Sequence, residues 1–235
     1  MNASPPASWR WVQYLTGLAI ACGAVWGGAS FSQNRPSASF PNWALGQTSA
    51  TVTLVEYASL TCSHCREFHD TIYPTIKQRY VDTGRIRFVL RPMPTPPYDL
   101  AVGMHALTLC AGQSRYYPLI DAFYDRQGEV FAAASGETGP KGTIFAIAED
   151  TGGLSYAASK ACLRDPARQA QVRASADAGV AAGVSSTPTV FVNGVRVVMP
   201  AGQTHLELID VTRALDAALN ATASRPKLGA KAKKR

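Results

Sequence analysis

The sequence predicts an α/β protein whose sheet is interrupted by a long all-helical insertion. Between Thr51 and Leu90 a strand, a helix and a second strand follow one another. From Asp99 to Gly183 the pattern is helical only, and strand character returns at Thr189. Because a strand–helix–strand unit implies parallel pairing, we expect one sheet built from residues 47–96 and 184–220.

The first half of the predicted sheet begins with Thr51 to Tyr57. This segment is rich in β-branched residues and bounded by polar ones, which is typical of a strand. After Cys62 we predict a helix with apolar residues spaced three or four apart on one face. That face comprises Cys65, Phe68, Ile72, Ile76 and Tyr80. Gly84 ends the helix and Ile86 to Leu90 forms a buried strand, while a short extra strand is expected near Trp43 to Leu45.

Residues 97–183 are predicted to form the helical insertion. Asp165-Pro166 supplies an N-cap followed by a proline at the first helical position, so a helix starts there and runs to about Ala182. The other predicted helices are Leu100 to Cys110, Ser114 to Gln127, Lys141 to Asp150 and Tyr156 to Leu163.

The second half of the sheet is predicted to be a hairpin followed by a helix. Thr189 to Val192 and Val195 to Val198 flank Asn193-Gly194, a dipeptide that strongly favours a two-residue hairpin turn. The segment Thr204 to Glu207 has the spacing of a capping box, which predicts a helix from there through Leu219.

Residues 1–34 are interpreted as a secretory signal sequence or an N-terminal membrane anchor. Residues 11–29 are mostly apolar and follow Arg10, which is the layout of a signal, and they are nearly long enough to span a bilayer. Ala29 ends a small-x-small cleavage site, whereas Cys22 ends a segment that resembles a lipoprotein box. Retention, cleavage and lipidation all stay open, and each delivers the rest of the chain outside the cytoplasm.

The positive charge is concentrated at the ends of the chain. The formal net charge is +7, but residues 47–224 carry 15 basic against 16 acidic side chains. We therefore expect residues 221–235 to be a basic, disordered tail, and a weak contact with anionic lipid or a cell-envelope polymer is the alternative role. The segment Pro36 to Pro41 is rich in Ser, which predicts that residues 35–46 are a linker. A near-neutral folded part does not favour a nucleic-acid partner.

The Cys62-Ser63-His64-Cys65 motif follows the first predicted strand and opens the next helix. Unsatisfied backbone N–H groups and the helix dipole favour a thiolate on Cys62, and His64 adds a cationic donor when it is protonated. Both effects stabilise the reduced form, so the disulfide becomes a stronger oxidant. A lone CxxC also fits half a zinc site, but no second CxxC is present and no metal is expected.

Three features together resemble the thioredoxin superfamily. They are Val55-Glu56-Tyr57, the CxxC motif, and Ser186-Thr187-Pro188-Thr189 before a strand. The helical block resembles the DsbA-like branch, within it the bacterial subgroup with a second cysteine pair in the helical domain. The resemblance covers about residues 47–220 and implies a thioredoxin fold with an inserted all-helical domain.

The resemblance also implies roles for individual residues. Cys62 is expected to be the exposed nucleophile that forms a mixed disulfide, and Cys65 the buried partner that resolves it. Pro188 is expected to be a cis-proline facing the disulfide, with Thr187 presenting backbone groups to a substrate peptide. Glu56 takes the place of a buried acid that exchanges a proton with Cys65, although its strand alone would also fit a solvent-facing residue.

Cys110 and Cys162 lie in two different predicted helices of the insertion. They would fit free buried thiols that behave as small hydrophobic residues. In an oxidising compartment, and given the resemblance, a structural disulfide between them is preferred.

The expected activity is that of an exported thiol:disulfide oxidoreductase, a dithiol oxidase that donates the Cys62–Cys65 disulfide to reduced substrate proteins. We expect a monomer in the periplasm without a cofactor, and the resemblance implies that a quinone-linked membrane oxidase reoxidises it. One alternative is an isomerase or reductase, although no dimerisation domain precedes Trp43. The other is an assembly factor that holds copper with Cys62, His64 and Cys65.

Overall fold

Within residues 39–136 and 139–224, which the computed structural model describes, the chain forms a four-stranded sheet with six helices between its second and third strands. This confirms the predicted α/β fold with an all-helical insertion. In chain order the elements are β1 (Val52–Ala58), α1 (Ser63–Thr71), α2 (Tyr73–Ile76), a π-helical turn (Lys77–Val81), β2 (Ile86–Pro92), α3 (Tyr98–Cys110), α4 (Gln113–Asp125), α5 (Gln127–Ala134), α6 (Lys141–Asp150), α7 (Tyr156–Arg164), α8 (Pro166–Ala181), β3 (Thr189–Val192), β4 (Val195–Arg196) and α9 (Leu208–Ala223).

The strand β1 lies inside the sheet, whose order is β2-β1-β3-β4. It runs parallel to β2, with Val52 opposite Ile86, and antiparallel to β3, with Leu54 opposite Val192. Alternate residues of β1 are buried, as expected for side chains that point to opposite faces of a sheet. Glu56 is on the same buried face as Val52 and Leu54.

The hairpin between β3 and β4 forms at the predicted turn. Asn193 and Gly194 have positive φ angles of 49° and 80°, as a type I′ turn requires. The strand β4 ends at Arg196 rather than at Val198. Beyond Val197, whose N–H still donates to Val190 O at 2.8 Å, the chain leaves the sheet.

The predicted start of the last helix at Thr204 is wrong. The helix α9 begins at Leu208 and is capped by Glu207, which forms a capping box with Asp210. Leu206 is buried in the core, and Glu207 is still extended with φ −103° and ψ 160°. The buried anchor at Leu206 therefore precedes the helix, and the capping box that forms is the one between Glu207 and Asp210.

The predicted strand at Trp43 to Leu45 is reduced to a single antiparallel bridge. Leu45 N–H donates to Phe88 O at 2.9 Å, and Phe88 N–H donates to Leu45 O at 3.0 Å. Gly46 then turns the chain with a φ of 90°. A side chain at Gly46 would collide with the Ile86 carbonyl, so the chain leaves the sheet edge after one pair.

The helix predicted from Ser114 to Gln127 ends early and is followed by a helix that was not predicted. Arg126, with φ −102° and ψ 16°, separates α4 from α5. Gln127 then starts α5 rather than ending α4, and Val130 anchors α5 in the core. The break matters because it points Gln127 at the loop before Cys62, as described below.

Residues 40–45 of the predicted linker pack against the helical insertion. Phe40 is buried, and the Trp43 ring lies 5.3 Å from that of Tyr116. The predicted signal or anchor (1–34), with its apolar run 11–29 and Cys22, lies outside the described residues, as does most of the tail. Among the helices that the structure describes, none is long and apolar enough to cross a membrane.

The sheet and the insertion share one continuous core. Leu54 and Phe88 from the sheet belong to the same buried cluster as Met104 and Leu107 of α3 and Phe123 of α4. Within the insertion, a disulfide joins Cys110 at the end of α3 to Cys162 in α7. The boundaries of the two parts at residues 96 and 184 stay predictions.

The disulfide in the insertion should contribute substantially to stability. Closing a loop of 52 residues stabilises by about 4 kcal/mol in the chain-entropy model. In a Cys62→Ala/Cys65→Ala background, urea unfolding with and without dithiothreitol should differ by about that amount. The same background with Cys110→Ala/Cys162→Ala should show no dependence on reductant. Detection of both thiols free in the native protein by mass spectrometry after thiol blocking would contradict the pairing.

Gly179 of α8 should not tolerate a side chain, although alanine is normally better in a helix. A Cβ atom there would lie 2.9 Å from the ring of Tyr57 and 3.3 Å from the sulfur of Met93. We expect Gly179→Ala to lower the free energy of unfolding by about 1–3 kcal/mol. The control is Gly142→Ala in α6, which meets no atom within 4 Å and should be neutral or stabilising by up to about 1 kcal/mol. If Gly179→Ala and Gly142→Ala changed the free energy of unfolding in urea equally, the close contact at Gly179 would be contradicted.

Candidate active site

The two cysteines of the CxxC motif occupy different environments at the start of α1. Cys62 is the N-cap of α1 and half-buried, and its carbonyl accepts a hydrogen bond from Arg66 N–H at 3.1 Å. Cys65, one turn further on, has no exposed surface. Both are free thiols in the structure. One sulfur can therefore meet another molecule and the other cannot.

The surroundings of Cys62 favour its thiolate. They lower the pKa of Cys62 to about 5, and the largest cause is the hydrogen bond from the Cys65 thiol. The Thr187 side chain and the backbone N–H groups of Cys65 and His64 act in the same direction, whereas burial opposes them. The N–H groups of His64 and Cys65 lie at the N-terminus of α1, where backbone N–H groups have no intrahelical partner.

Cys65 is perturbed in the opposite direction. Burial raises the pKa of the Cys65 thiol well above its usual range, and the hydrogen bond with Cys62 and the charge of Glu56 raise it further. The N–H of Ser59 lies 3.5 Å from the Cys65 sulfur and opposes this only weakly. At neutral pH the pair is therefore one thiolate at the surface and one buried thiol.

The loop before β3 faces Cys62, although it lies 125 residues further along the chain. The Thr187–Pro188 peptide bond is cis, the isomer that the resemblance implies. The Cys62 sulfur lies 3.5 Å from the Thr187 carbonyl oxygen. Thr189 starts β3, and its hydroxyl donates to Ser186 O at 2.7 Å, which ties the loop together. The pairing of β1 with β3 thus brings the CxxC motif and Pro188 to one site.

His64 contributes to the thiolate through its backbone. Its N–H group helps to lower the pKa of Cys62, while its side chain is exposed and lines a neighbouring groove. The backbone donor adds to the predicted role of a protonated imidazole, which stays a prediction. Residues such as Cys62, His64 and Cys65 are ligands for soft metals, but the described part of the chain brings no three metal-ligating side chains together.

Glu56 lies in the core beneath the cysteines and not on a solvent-facing side of its strand. Its side chain has no exposed surface. One carboxylate oxygen, Oε2, lies 3.3 Å from Nε2 of His69. The other, Oε1, has no hydrogen-bond partner among the residues that the structure describes. A buried carboxylate without full hydrogen bonding costs free energy, which suits a group that exchanges a proton.

Three side chains of the insertion hold the loop between β1 and Cys62. Gln127 of α5 donates to Leu60 O at 2.9 Å and to Cys62 O at 3.2 Å. The Tyr124 hydroxyl donates to Ser59 O at 3.3 Å. His105 of α3 accepts from Leu60 N–H at 3.4 Å, and burial lowers the pKa of His105 to about 3, so its ring is neutral.

Sequence reasoning did not identify these three residues. His105 and Tyr124 are polar residues in largely apolar stretches, and such residues at a buried position signal a specific partner. Gln127 lies among charged residues and gives no such signal. The sequence does not reveal that partner, because it lies 45 to 67 residues away in the chain.

A groove of about 540 Å³ runs beside the reactive centre, between α1 and the loop of Pro188. It is lined on one side by His64 and Phe68 and on the other by Pro188, Met199 and Leu206. Its walls combine apolar residues with the charged residues Glu67, Arg196 and Glu207. Such a surface suits an extended peptide segment.

The sequence profile of the thioredoxin family matches residues 40–217. A protein named putative protein-disulfide oxidoreductase from Rickettsia typhi is 30% identical over 177 residues, which are 74% of this chain and 61% of that protein. Disulfide bond formation protein D of Bacillus subtilis is 24% identical over 156 residues, covering 63% of this chain and 66% of its own. The chain thus spans about three fifths of the Rickettsia relative.

Solved structures show the same fold. Alpha-DsbA1 of Wolbachia pipientis superposes with a TM-score of 0.66 at 22% identity, covering 78% of this chain and 95% of that one. BdbD of Bacillus subtilis, in its oxidised form, gives a TM-score of 0.57 at 21% identity over 76% of this chain and 93% of its own. The chain therefore belongs to the thioredoxin family, and its fold is that of the DsbA-like proteins.

Proposed function

We propose that this chain is an exported thiol:disulfide oxidoreductase that donates the Cys62–Cys65 disulfide to folding substrate proteins. The observation that carries the proposal is the opposite perturbation of the two thiols, with the pKa of Cys62 lowered to about 5 and that of Cys65 raised. Stabilising the reduced form in this way makes the disulfide a better oxidant. The names of the Rickettsia and Bacillus relatives support the same class of activity.

The transfer takes place in two exchange steps. A substrate thiolate attacks the sulfur of Cys62, a mixed disulfide forms, and the Cys62–Cys65 bond breaks with Cys65 leaving. A second substrate thiolate then attacks the substrate sulfur of the mixed disulfide, and Cys62 leaves as a stabilised thiolate. The substrate dithiol is oxidised by two electrons and the cysteine pair is reduced by two. Glu56 supplies the proton that Cys65 takes up.

The site supports recognition of extended, incompletely folded protein segments. The loop of Thr187 and Pro188 presents backbone groups next to Cys62, and the groove continues past Met199. Backbone pairing gives affinity with little sequence preference. An enzyme with many substrates requires that combination.

We place the protein in the periplasm as a monomer, with residues 11–29 as a tether to the inner membrane if they are retained. Reoxidation of the reduced pair requires a two-electron acceptor. A quinone-linked membrane oxidase fits this need, and a membrane tether would hold the enzyme close to it.

The deciding experiment combines the reduction potential of the Cys62–Cys65 pair with oxidative refolding of a reduced substrate protein. We expect a potential well above the value of about −270 mV for thioredoxin and catalysed recovery of the native substrate. A potential like that of thioredoxin without refolding activity would refute the oxidase. Rearrangement of scrambled disulfides without net oxidation would instead favour an isomerase.

Removal of the resolving cysteine should trap substrates. In Cys65→Ala, the Cys62 thiolate attacks a disulfide of a substrate protein, one substrate sulfur leaves as a thiolate, and no Cys65 is present to open the mixed disulfide that forms, so mixed disulfides should accumulate severalfold over the parent chain. They can be counted by non-reducing electrophoresis and mass spectrometry after incubation with an envelope extract. The matched control is Cys62→Ala, which keeps the buried thiol and should trap nothing. Equal trapping by both variants would contradict the assignment of the nucleophile.

The pKa of Cys62 should depend on the hydrogen bond from Cys65. Cys65→Ala removes the thiol donor and should raise the pKa of Cys62 above about 5. Cys65→Ser keeps a hydroxyl donor and should raise this pKa less. The pH dependence of thiolate absorbance measures the pKa of Cys62 in both variants. Identical titrations of the two variants would exclude this hydrogen bond as the main cause of the lowered pKa.

The lowered pKa of Cys62 should also make the stability of the protein depend on pH. Because the pKa is lowered in the folded state, the reduced protein should gain stability as pH rises from about 5 to about 9.

A further inference from the structure

His69 lies in line between the buried Glu56 and a carboxylate at the surface. Its Nε2 is 3.3 Å from Glu56 Oε2, and its Nδ1 is 3.8 Å from Oδ1 of Asp121. The side chains of Glu56, His69 and Asp121 are 0%, 4% and 44% exposed, respectively. The three groups therefore run from the core to solvent, with one ring nitrogen facing each carboxylate.

The imidazole of His69 is held between two aromatic rings. Its centroid lies 4.6 Å from that of Tyr73 and 4.2 Å from that of Tyr124, with interplanar angles of 35° and 31°. This tilted stacking holds the buried ring between α1 and α4. An imidazole fixed in this way can accept a proton on one nitrogen and release another from the opposite nitrogen.

Asp121 is suited to take up protons from water near neutral pH. Burial raises its pKa to about 6, although His69 and Lys77 act in the opposite direction. The gap of 3.8 Å to His69 is one that a small rotation of the half-exposed carboxylate closes or one water molecule bridges. The other titratable groups that interact with Glu56 or Asp121 are Cys65, Tyr73, Tyr117, Tyr124 and Asp125.

The proposed reaction requires such a route. Cys65 has no exposed surface, and its raised pKa means that it must be protonated once it is released. A Cys65 thiolate that stays unprotonated attacks the mixed disulfide and regenerates the starting bond. The supply of a proton to this buried sulfur therefore decides whether the first exchange step goes forward.

We infer that Glu56, His69 and Asp121 form a proton path from solvent to Cys65, in which Asp121 of the helical insertion is the entry. The inference rests on the proposed function, and it assigns His69 and Asp121 as relay residues that act through Glu56. When Cys65 leaves, it takes a proton from the Glu56 carboxyl. Nε2 of His69 returns a proton to Glu56, and Nδ1 receives one from Asp121, which is reprotonated by water. One proton is taken up for each disulfide transferred.

The path joins the two parts of the molecule. Glu56 lies on β1 and His69 on α1, whereas Asp121 lies on α4 of the insertion. The insertion thus supplies the group that connects the buried acid to solvent. The same helix α4 carries Tyr124, which packs on His69 and donates to Ser59 O in the active-site loop.

Asp121→Asn is the variant that tests the path. The raised pKa of Asp121 means that its charged form destabilises the fold at pH 7, so the amide should fold at least as stably. Asp121→Glu restores a carboxylate, and Asp70→Asn is the matched control. Asp70 is an exposed carboxylate on α1 next to His69 in sequence, and it pairs with Arg66 instead.

The measurement is the rate at which dithiothreitol reduces the oxidised full-length protein at pH 7, in water and in deuterium oxide. Samples are quenched with acid and treated with a thiol-specific label. The fraction of Cys65 that carries the label, and is therefore reduced, is quantified by mass spectrometry. We expect Asp121→Asn to react roughly tenfold more slowly and with a larger solvent isotope effect. Asp121→Glu should recover most of the rate, and Asp70→Asn should match the parent chain.

A parent-like rate and isotope effect in Asp121→Asn would overturn the path, as would equal slowing in Asp70→Asn. If Asp121→Asn proved unfolded by circular dichroism, the same comparison would be made with His69→Gln against Asp70→Asn. Because dithiothreitol replaces the protein substrate, the result does not depend on oxidase activity. A parent protein without refolding activity would refute the proposed function, whereas the reduction rates of the variants test the proton path.

Discussion

The geometry of the reactive centre depends on the hydrogen-bond partners of the backbone N–H and C=O groups of residues 59–62, which are shielded from water. This loop connects a buried strand to the start of α1, so its polar groups cannot rely on solvent. His105, Tyr124 and Gln127 provide the missing partners, and all three come from the helical insertion. The insertion is therefore part of the active site, because the position of Cys62 follows from the contacts that these helices make.

The fixed loop allows the two sulfur atoms to differ. Cys62 lies where several donors converge, while Cys65 lies in the core with Glu56 near it. Neither environment would persist if the loop moved by a few ångströms, since both depend on short-range hydrogen bonds and exclusion of water. A rigid loop thus keeps one sulfur accessible to other molecules and the other sulfur buried beside it.

Much of this arrangement was predictable from local sequence. The strand β1, the buried face of the first helix, the Asn193-Gly194 turn and the cap at Asp165 each follow from patterns within a few residues. The start of α9 and the break at Arg126 did not, because competing caps and buried anchors decided them. The partners of the active-site loop were out of reach for a different reason. They depend on how helices distant in sequence pack, and a single sequence contains no record of that packing.

The position of β1 inside the sheet has a consequence for synthesis. Thr53 N–H donates to the side chain of Asn193, 140 residues later in the chain. Proteins are made from the N-terminus at about 5–20 residues per second, so β1 and β2 emerge many seconds before β3. During that interval one edge of β1 presents unpaired N–H and C=O groups, which is a template for pairing with other chains. A chaperone that covers this edge until β3 arrives would protect the half-made sheet.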